Sequence, residues 1–135
     1  MKTRLIIHCA LLAPLLLTAA AAGAKSQKQR QPHPCEERGS QAEATGCARR
    51  EYEAADAELN RAYNRLAGVL DAEEKALLKA SELAWLKYRD SNCAFESSKY
   101  AGGTIRPMIE SICLTRVTRA RTAELKEQFE LRRPE

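Results

Sequence analysis

Histidine is scarce in this chain: of 135 residues only His8 and His33 carry imidazole. His8 falls in an amino-terminal stretch that reads as removable. With His33 alone left, a histidine-built zinc site or a Ser-His-Asp triad lacks its materials. No Cys-x-x-Cys pair offers redox exchange or half a tetrahedral metal site. Gly102-Gly103 has no Lys-Ser/Thr after it, so it reads as a turn and cannot cradle phosphate. Metal and cofactor are therefore both expected to be absent. Aromatic residues are few, with one Trp, two Phe and four Tyr, which leaves Leu, Ile, Val and Ala to build the core. No stretch alternates like a strand. The longest apolar run, Leu5 to Leu17, is interrupted by His8 and Pro14, and its thirteen residues fall short of a membrane span.

That run has another reading. Lys2 and Arg4 form a basic start, the apolar stretch follows, and Ala22-Gly23-Ala24 gives the small-x-small pattern that a signal peptidase cuts after. Cys9 lies too early for a lipoprotein site, and His8 before it is not the small residue such a site needs. The expected organisation is a signal peptide over 1–24, a flexible arm over 25–34, a helical domain over 35–130 and a tail over 131–135. The mature protein would be periplasmic or secreted. Losing Lys2 and Arg4 from 22 basic residues leaves 20 against 18 acidic, a balance too even for nucleic acid.

Such a small domain has limited reserve, and cysteine supplements it. Cys35, Cys47, Cys93 and Cys113 remain after cleavage, and four cysteines allow three connectivities. Proximity favours Cys35–Cys47 and Cys93–Cys113. The second pair lies equidistant from Gly103, so a hairpin bent there would bring its two cysteines to one height. Ser40-Gln-Ala-Glu43 and Asp71-Ala-Glu-Glu74 are capping boxes that open two helices. Tyr52, Ala55, Leu59, Ala62, Tyr63, Leu66 and Leu70 form the first helix's apolar stripe. Ala76, Leu77, Ala80, Leu83, Ala84, Trp85, Tyr88 and Phe95 give the second helix its apolar side. It fades near Lys99. Thr104 is expected to cap a third helix, with Pro107 tolerated in its first turn. The fold class is all-α: a three-helix antiparallel up-down-up bundle stapled by two disulfides.

The parts in order are Cys47; Ala55-Asp56-Ala-Glu58-Leu59-Asn60-Arg-Ala-Tyr63-Asn-Arg-Leu66; Ala84-Trp85-Leu86-Lys-Tyr88-Arg89-Asp90-Ser-Asn-Cys93; Gly102-Gly103; and Cys113 with Thr118, Arg121 and Leu125. This series resembles the LprI-like lysozyme-inhibitor family of small exported bacterial domains, over about Cys35 to Phe129. Ser81-Glu82 departs from it, because the family often has Ala-Gln there. The resemblance implies a protein that binds lysozyme and protects the cell wall, not an enzyme.

Asp56 and Asn60 are polar residues in an apolar stripe. Counting from the turns brings them towards Arg89 and Arg121, with Asp90 beside Arg89. A guanidinium–carboxylate fork there would fix helix register. Catalysis by Asp56, Asp90 or Glu58 would need a cleft around the carboxylates, which a narrow bundle does not readily enclose. Trp85 is a candidate sugar platform, but its spacing with Leu77, Ala84 and Tyr88 reads first as core. For a partner, the candidate loop is Tyr100, Gly102, Gly103, Thr104 and Arg106, with Arg106 aimed at an acidic pair and Tyr100 as anchor. The same segment reads first as a plain helix connection with a cap. Glu36, Glu37, Glu43, Glu51 and Glu53 offer an acidic face for a basic lysozyme. The alternatives are an envelope interaction protein binding another bacterial protein, favoured if an apolar stripe is left exposed, and a module that binds peptidoglycan itself.

Overall fold

A computed structural model describes residues 33–37 and 39–133; the expected signal peptide, most of the expected arm and the last two residues lie outside them. Among the described residues there are three helices and no strand: α1 (Gln41–Ala67), α2 (Ala72–Ser98) and α3 (Arg106–Arg132), each of 27 residues. Both capping boxes form. Ser40 accepts from the Glu43 backbone while Glu43 reaches back, and Asp71 does the same with Glu74. The α3 start differs from expectation. Its N-cap is Ile105, with no side-chain cap bond, and Pro107 occupies the first turn, where it removes one N–H that would need capping. Thr104 stays outside the helix. α3 also continues to Arg132, beyond the domain end expected at residue 130.

The α1–α3 seam is the most extensive packing in the protein, and α2 lies mainly against α3. Small residues make the close seam. Ala44, Ala48, Ala55 and Ala62 of α1 are buried, as are Thr115, Thr118 and Thr122 of α3. The Thr115 and Thr122 hydroxyls donate to the Ser111 and Thr118 carbonyls one turn back, so they enter the seam already satisfied. Across it, Glu51 meets Arg119 and Glu58 meets Lys126, with numbers rising together along both helices. Between α2 and α3 the order reverses: Cys93 joins Cys113, Glu82 meets Arg121 and Glu74 meets Arg132.

Three apolar clusters fill the interior. Cys35, Ala44, Ala48, Met108 and Ile109 close the end that carries the α2–α3 turn. Leu59, Ala62, Leu66, Leu70 and Leu125 fill the opposite half. Cys93, Cys113 and Val117 lie between α2 and α3, and Trp85 packs against both of the last two clusters.

The expected apolar side of α2 is only partly buried. Its buried residues are Arg89, Cys93 and Ser97, while Leu77, Leu83, Tyr88 and Phe95 are 55–77% exposed. The reason is angular. At 100° per residue, Leu78, Trp85 and Arg89 share a line about 100° from the one through Leu77, Ala84, Tyr88 and Phe95. One helix cannot turn both lines inward against a single neighbour. Trp85 is half-buried and packs against two core clusters; Leu77, Ala84 and Tyr88, its supposed companions, are exposed.

Candidate functional site

Both disulfides form with the expected pairing, Cys35–Cys47 and Cys93–Cys113, with Cα atoms 5.6 and 5.5 Å apart. Cys93–Cys113 joins the two helices that flank the candidate loop. Tyr100 and Ala101 donate their N–H groups to Ser97 and Ser98 carbonyls, and Gly103 donates back to Tyr100. Gly102 takes φ +77°, a conformation glycine adopts without a Cβ penalty. Ala101 to Thr104 are exposed. Tyr100 is half-buried, packed against the Cys35–Met108 cluster, so much of its ring serves the fold. Arg106 is half-buried too. Its Nε lacks a hydrogen-bond acceptor, and among the described residues it forms no ion pair. A cation uncommitted within the fold thus sits at the loop's base. Thr104 also lines a shallow depression with Gln41, Ala42, Thr45, Gly46 and Arg49, which joins the loop to the start of α1.

The polar network divides in two. Arg89 is nearly buried, and its Nε donates to Asp90 at 2.9 Å while Nη1 donates to Asp56 at 3.2 Å. Asn60 occupies the other Asp56 oxygen at 3.2 Å. The guanidinium lies 5.6 Å from the Tyr52 ring and 5.2 Å from the Trp85 ring, where a π face attracts a cation. Burial works against the Arg89 charge, but the Asp90 hydrogen bond and the surrounding Tyr52, Asp90 and Asp56 charges outweigh it and hold its pKa above the ordinary arginine value. Burial likewise raises Tyr52; Arg89 opposes that rise and the two aspartates add to it. Arg89 thereby locks α2 to α1 through Asp56, both of whose oxygens have a donor.

Arg121 does not join it. From the other side of the network, 6.0 Å from Trp85, it donates to Glu82 (3.1 Å), Glu124 (3.1 Å) and Ser81 (3.0 Å). Counting from the turns placed it at the right height and on the wrong partner. Glu82 was missed as a site residue. Its carboxylate meets the Arg121 charge with both side chains about 14% exposed.

The acidic face is largely spent inside the molecule. Glu43 caps α1, Glu53 pairs with Arg49, and Glu51 bridges His33 and Arg119. His33, Cys35 and Glu51 converge, but the Cys35 sulfur is held in a disulfide and cannot act as a thiolate ligand. Glu58 accepts a hydrogen bond from Lys126, which with that cation's charge holds its pKa below the ordinary carboxylate value. A depressed carboxylate contributes stability above its unfolded pKa and loses it as pH falls through the folded value. Glu58→Gln should therefore melt below the wild type at neutral pH, with the difference closing in acid; a constant difference in thermal midpoint from pH 7 to pH 3 would contradict this.

What the described residues present is a small helical domain held by two disulfides, with an exposed turn from Ala101 to Thr104. Comparison with known proteins agrees on the kind of molecule. The family model described as "Lysozyme inhibitor LprI" matches residues 35–125. The chain belongs to the LprI lysozyme-inhibitor family. Within the LprI match lie all four disulfide cysteines, the Arg89 lock and the glycine turn. A Rhizobium meliloti (strain 1021) protein described as uncharacterized is 39% identical over 129 residues, covering 85% of this chain and 91% of its own length. No solved structure matches. Among the described residues no helix is long and apolar enough to cross a membrane.

Proposed function

We propose that this protein is an exported inhibitor that protects the cell wall by binding lysozyme, with no catalytic activity of its own. Membership of the LprI family is the observation that carries this reading. Two disulfides fit an oxidising compartment outside the cytoplasm, as the amino-terminal signal-peptide pattern does. The contact we assign is the turn from Ala101 to Thr104 with Arg106 at its base. Lysozyme works with two carboxyl groups in a groove, and an uncommitted guanidinium on a stiff protrusion is chemically suited to it. Bracing by Cys93–Cys113 reduces the ordering entropy that a free loop would lose on binding.

The test is titration of the oxidised protein into lysozyme acting on a soluble chitooligosaccharide, where shielding of the wall plays no part. Stoichiometric inhibition is expected, weakened at least tenfold by Arg106→Ala, a loss of about 1.4 kcal/mol. Folded protein that inhibits no class of lysozyme would sink the proposal. Binding to purified peptidoglycan without contact to lysozyme would replace it with the wall-binding alternative.

A further inference from the structure

We infer that the exposed face of α2 is a self-association surface, and that its occupant is α2 of a second copy packed antiparallel about a two-fold axis. Leu77, Ala84, Tyr88 and Phe95 fall within about 20° of one line along the helix and span about 27 Å. Leu77 is 65% exposed, Tyr88 59% and Phe95 77%, an unusual concentration of large apolar side chains in a chain with so few aromatics.

The stripe is self-complementary. Leu77 and Phe95 each lie nine residues from Leu86, Ala84 and Tyr88 two, Ser81 and Ser91 five, and Glu73 and Lys99 thirteen. A two-fold axis at the height of Leu86 therefore sets Leu77 against Phe95 of the second copy. It also sets Ala84 against Tyr88, Ser81 against Ser91 and Glu73 against Lys99, twice over by symmetry. Large meets small at the centre, and opposite charges meet at both ends. Glu73 and Lys99 are exposed and form no ion pair among the described residues, so both are available.

A groove supplies the second, independent observation. Leu66, Leu70, Leu77, Leu78 and Leu125 form the apolar part of a cavity of about 350 Å³ where α2 and α3 meet the end of α1, the rest of its lining being polar or charged. Leu77 is both a wall of this groove and the end of the stripe. The two-fold register delivers the second copy's Phe95, the most exposed of the large apolar side chains, to that lip. Phe95 would then leave water for a leucine-lined pocket, and the symmetric contact would fill the other groove. Since α2 is about 40 Å long, the dimer would present its two Ala101–Thr104 turns at opposite ends. The inference does not depend on what those turns bind.

Sedimentation velocity on the purified, disulfide-intact protein tests this directly. Between roughly 5 and 500 µM the average mass should rise from one chain towards two, since a contact this small belongs to the weaker interface classes. Tyr88→Glu, at an exposed position, should keep native helicity by circular dichroism and remain monomeric. Glu73→Lys should weaken association roughly tenfold, because symmetry repeats the like-charge contact at both ends. Lys99→Glu should do the same, and the double exchange should restore it. Mass that stays at one chain throughout overturns the inference, as does a dimer that survives Tyr88→Glu or a double exchange no stronger than either single one. A monomeric wild type whose lysozyme inhibition is lost in Tyr88→Glu would assign the face to lysozyme instead.

Discussion

Arg89→Ala is expected to destabilise the folded protein by about 2–3 kcal/mol. The side chain is 8% exposed and joins two carboxylates on two helices while lying against two aromatic rings. Removing one partner of a fully buried ion pair would cost more, about 3–5 kcal/mol, because the orphaned charge cannot hydrate. Here Asp56 and Asp90 are 39% and 63% exposed, so water can recover part of that loss. What water cannot replace is the contact of the guanidinium with the Tyr52 and Trp85 rings. Arg89→Met should retain much of the packing and show the electrostatic share, while Arg89→Lys keeps the charge and loses the two-way fork. Urea unfolding with the disulfides intact measures all three. An alanine variant within about 0.5 kcal/mol of wild type, the range of an ordinary surface substitution, would mean the lock is ornamental.

Asp56→Asn separates register from stability. The amide still accepts from Arg89, so a small loss, about 1 kcal/mol or less, is expected. The two aspartates are not equivalent in place: Asp90 neighbours Arg89 on α2, whereas Asp56 reaches it from α1. Only the Asp56 contact ties one helix to another. Loss at Asp56 should therefore loosen α2 against α1, and loss at Asp90 should not.

The helix boundaries were legible because caps are local chemistry. Ser40 with Glu43 and Asp71 with Glu74 satisfy backbone groups within one turn, and no distant contact can change that count. The disulfide pairing was legible for a related reason, since chain spacing limits which cysteines can meet. Thr104 failed as a cap because Gly103 and Pro107 shape the turn from either side, and the helix begins one residue later than a free hydroxyl would choose. The Asp56–Arg89 pair could be reached by counting heights along the bundle. Rotation about each helix axis is what counting leaves open. It decides that Arg121 faces Glu82 and not Asp56, and that Tyr88 and Phe95 face outward although their residue types belong to cores. Periodicity identifies an apolar line on a helix; it does not say whether that line meets a neighbour in the same chain or in another.

Replacing Cys93 and Cys113 together by alanine is expected to cost about 3 kcal/mol, from the loop entropy regained by the unfolded chain across 20 residues. By entropy alone the Cys35–Cys47 bridge, closing 12 residues, should be worth nearly the same. Their local consequences should differ. Cys35–Cys47 pins a short amino-terminal segment onto α1, which keeps its own extensive seam with α3. Cys93–Cys113 joins α2 to α3, and α2 otherwise buries only Arg89 and Ser97. Without that bridge, α2 should open as a unit before the α1–α3 pair does, as weakly packed segments do. Amide hydrogen exchange resolves the two cases: protection should fall across 72–98 in the Cys93/Cys113 variant, with the buried α1–α3 positions keeping theirs. Uniform loss of protection over all three helices would show instead that the fold is a single cooperative unit. The functional reading depends on the same difference. A turn held by α2 stays ordered only while α2 is docked, so the Cys93/Cys113 variant should lose inhibition even at temperatures where α1 and α3 remain folded, whereas the Cys35/Cys47 variant should keep it.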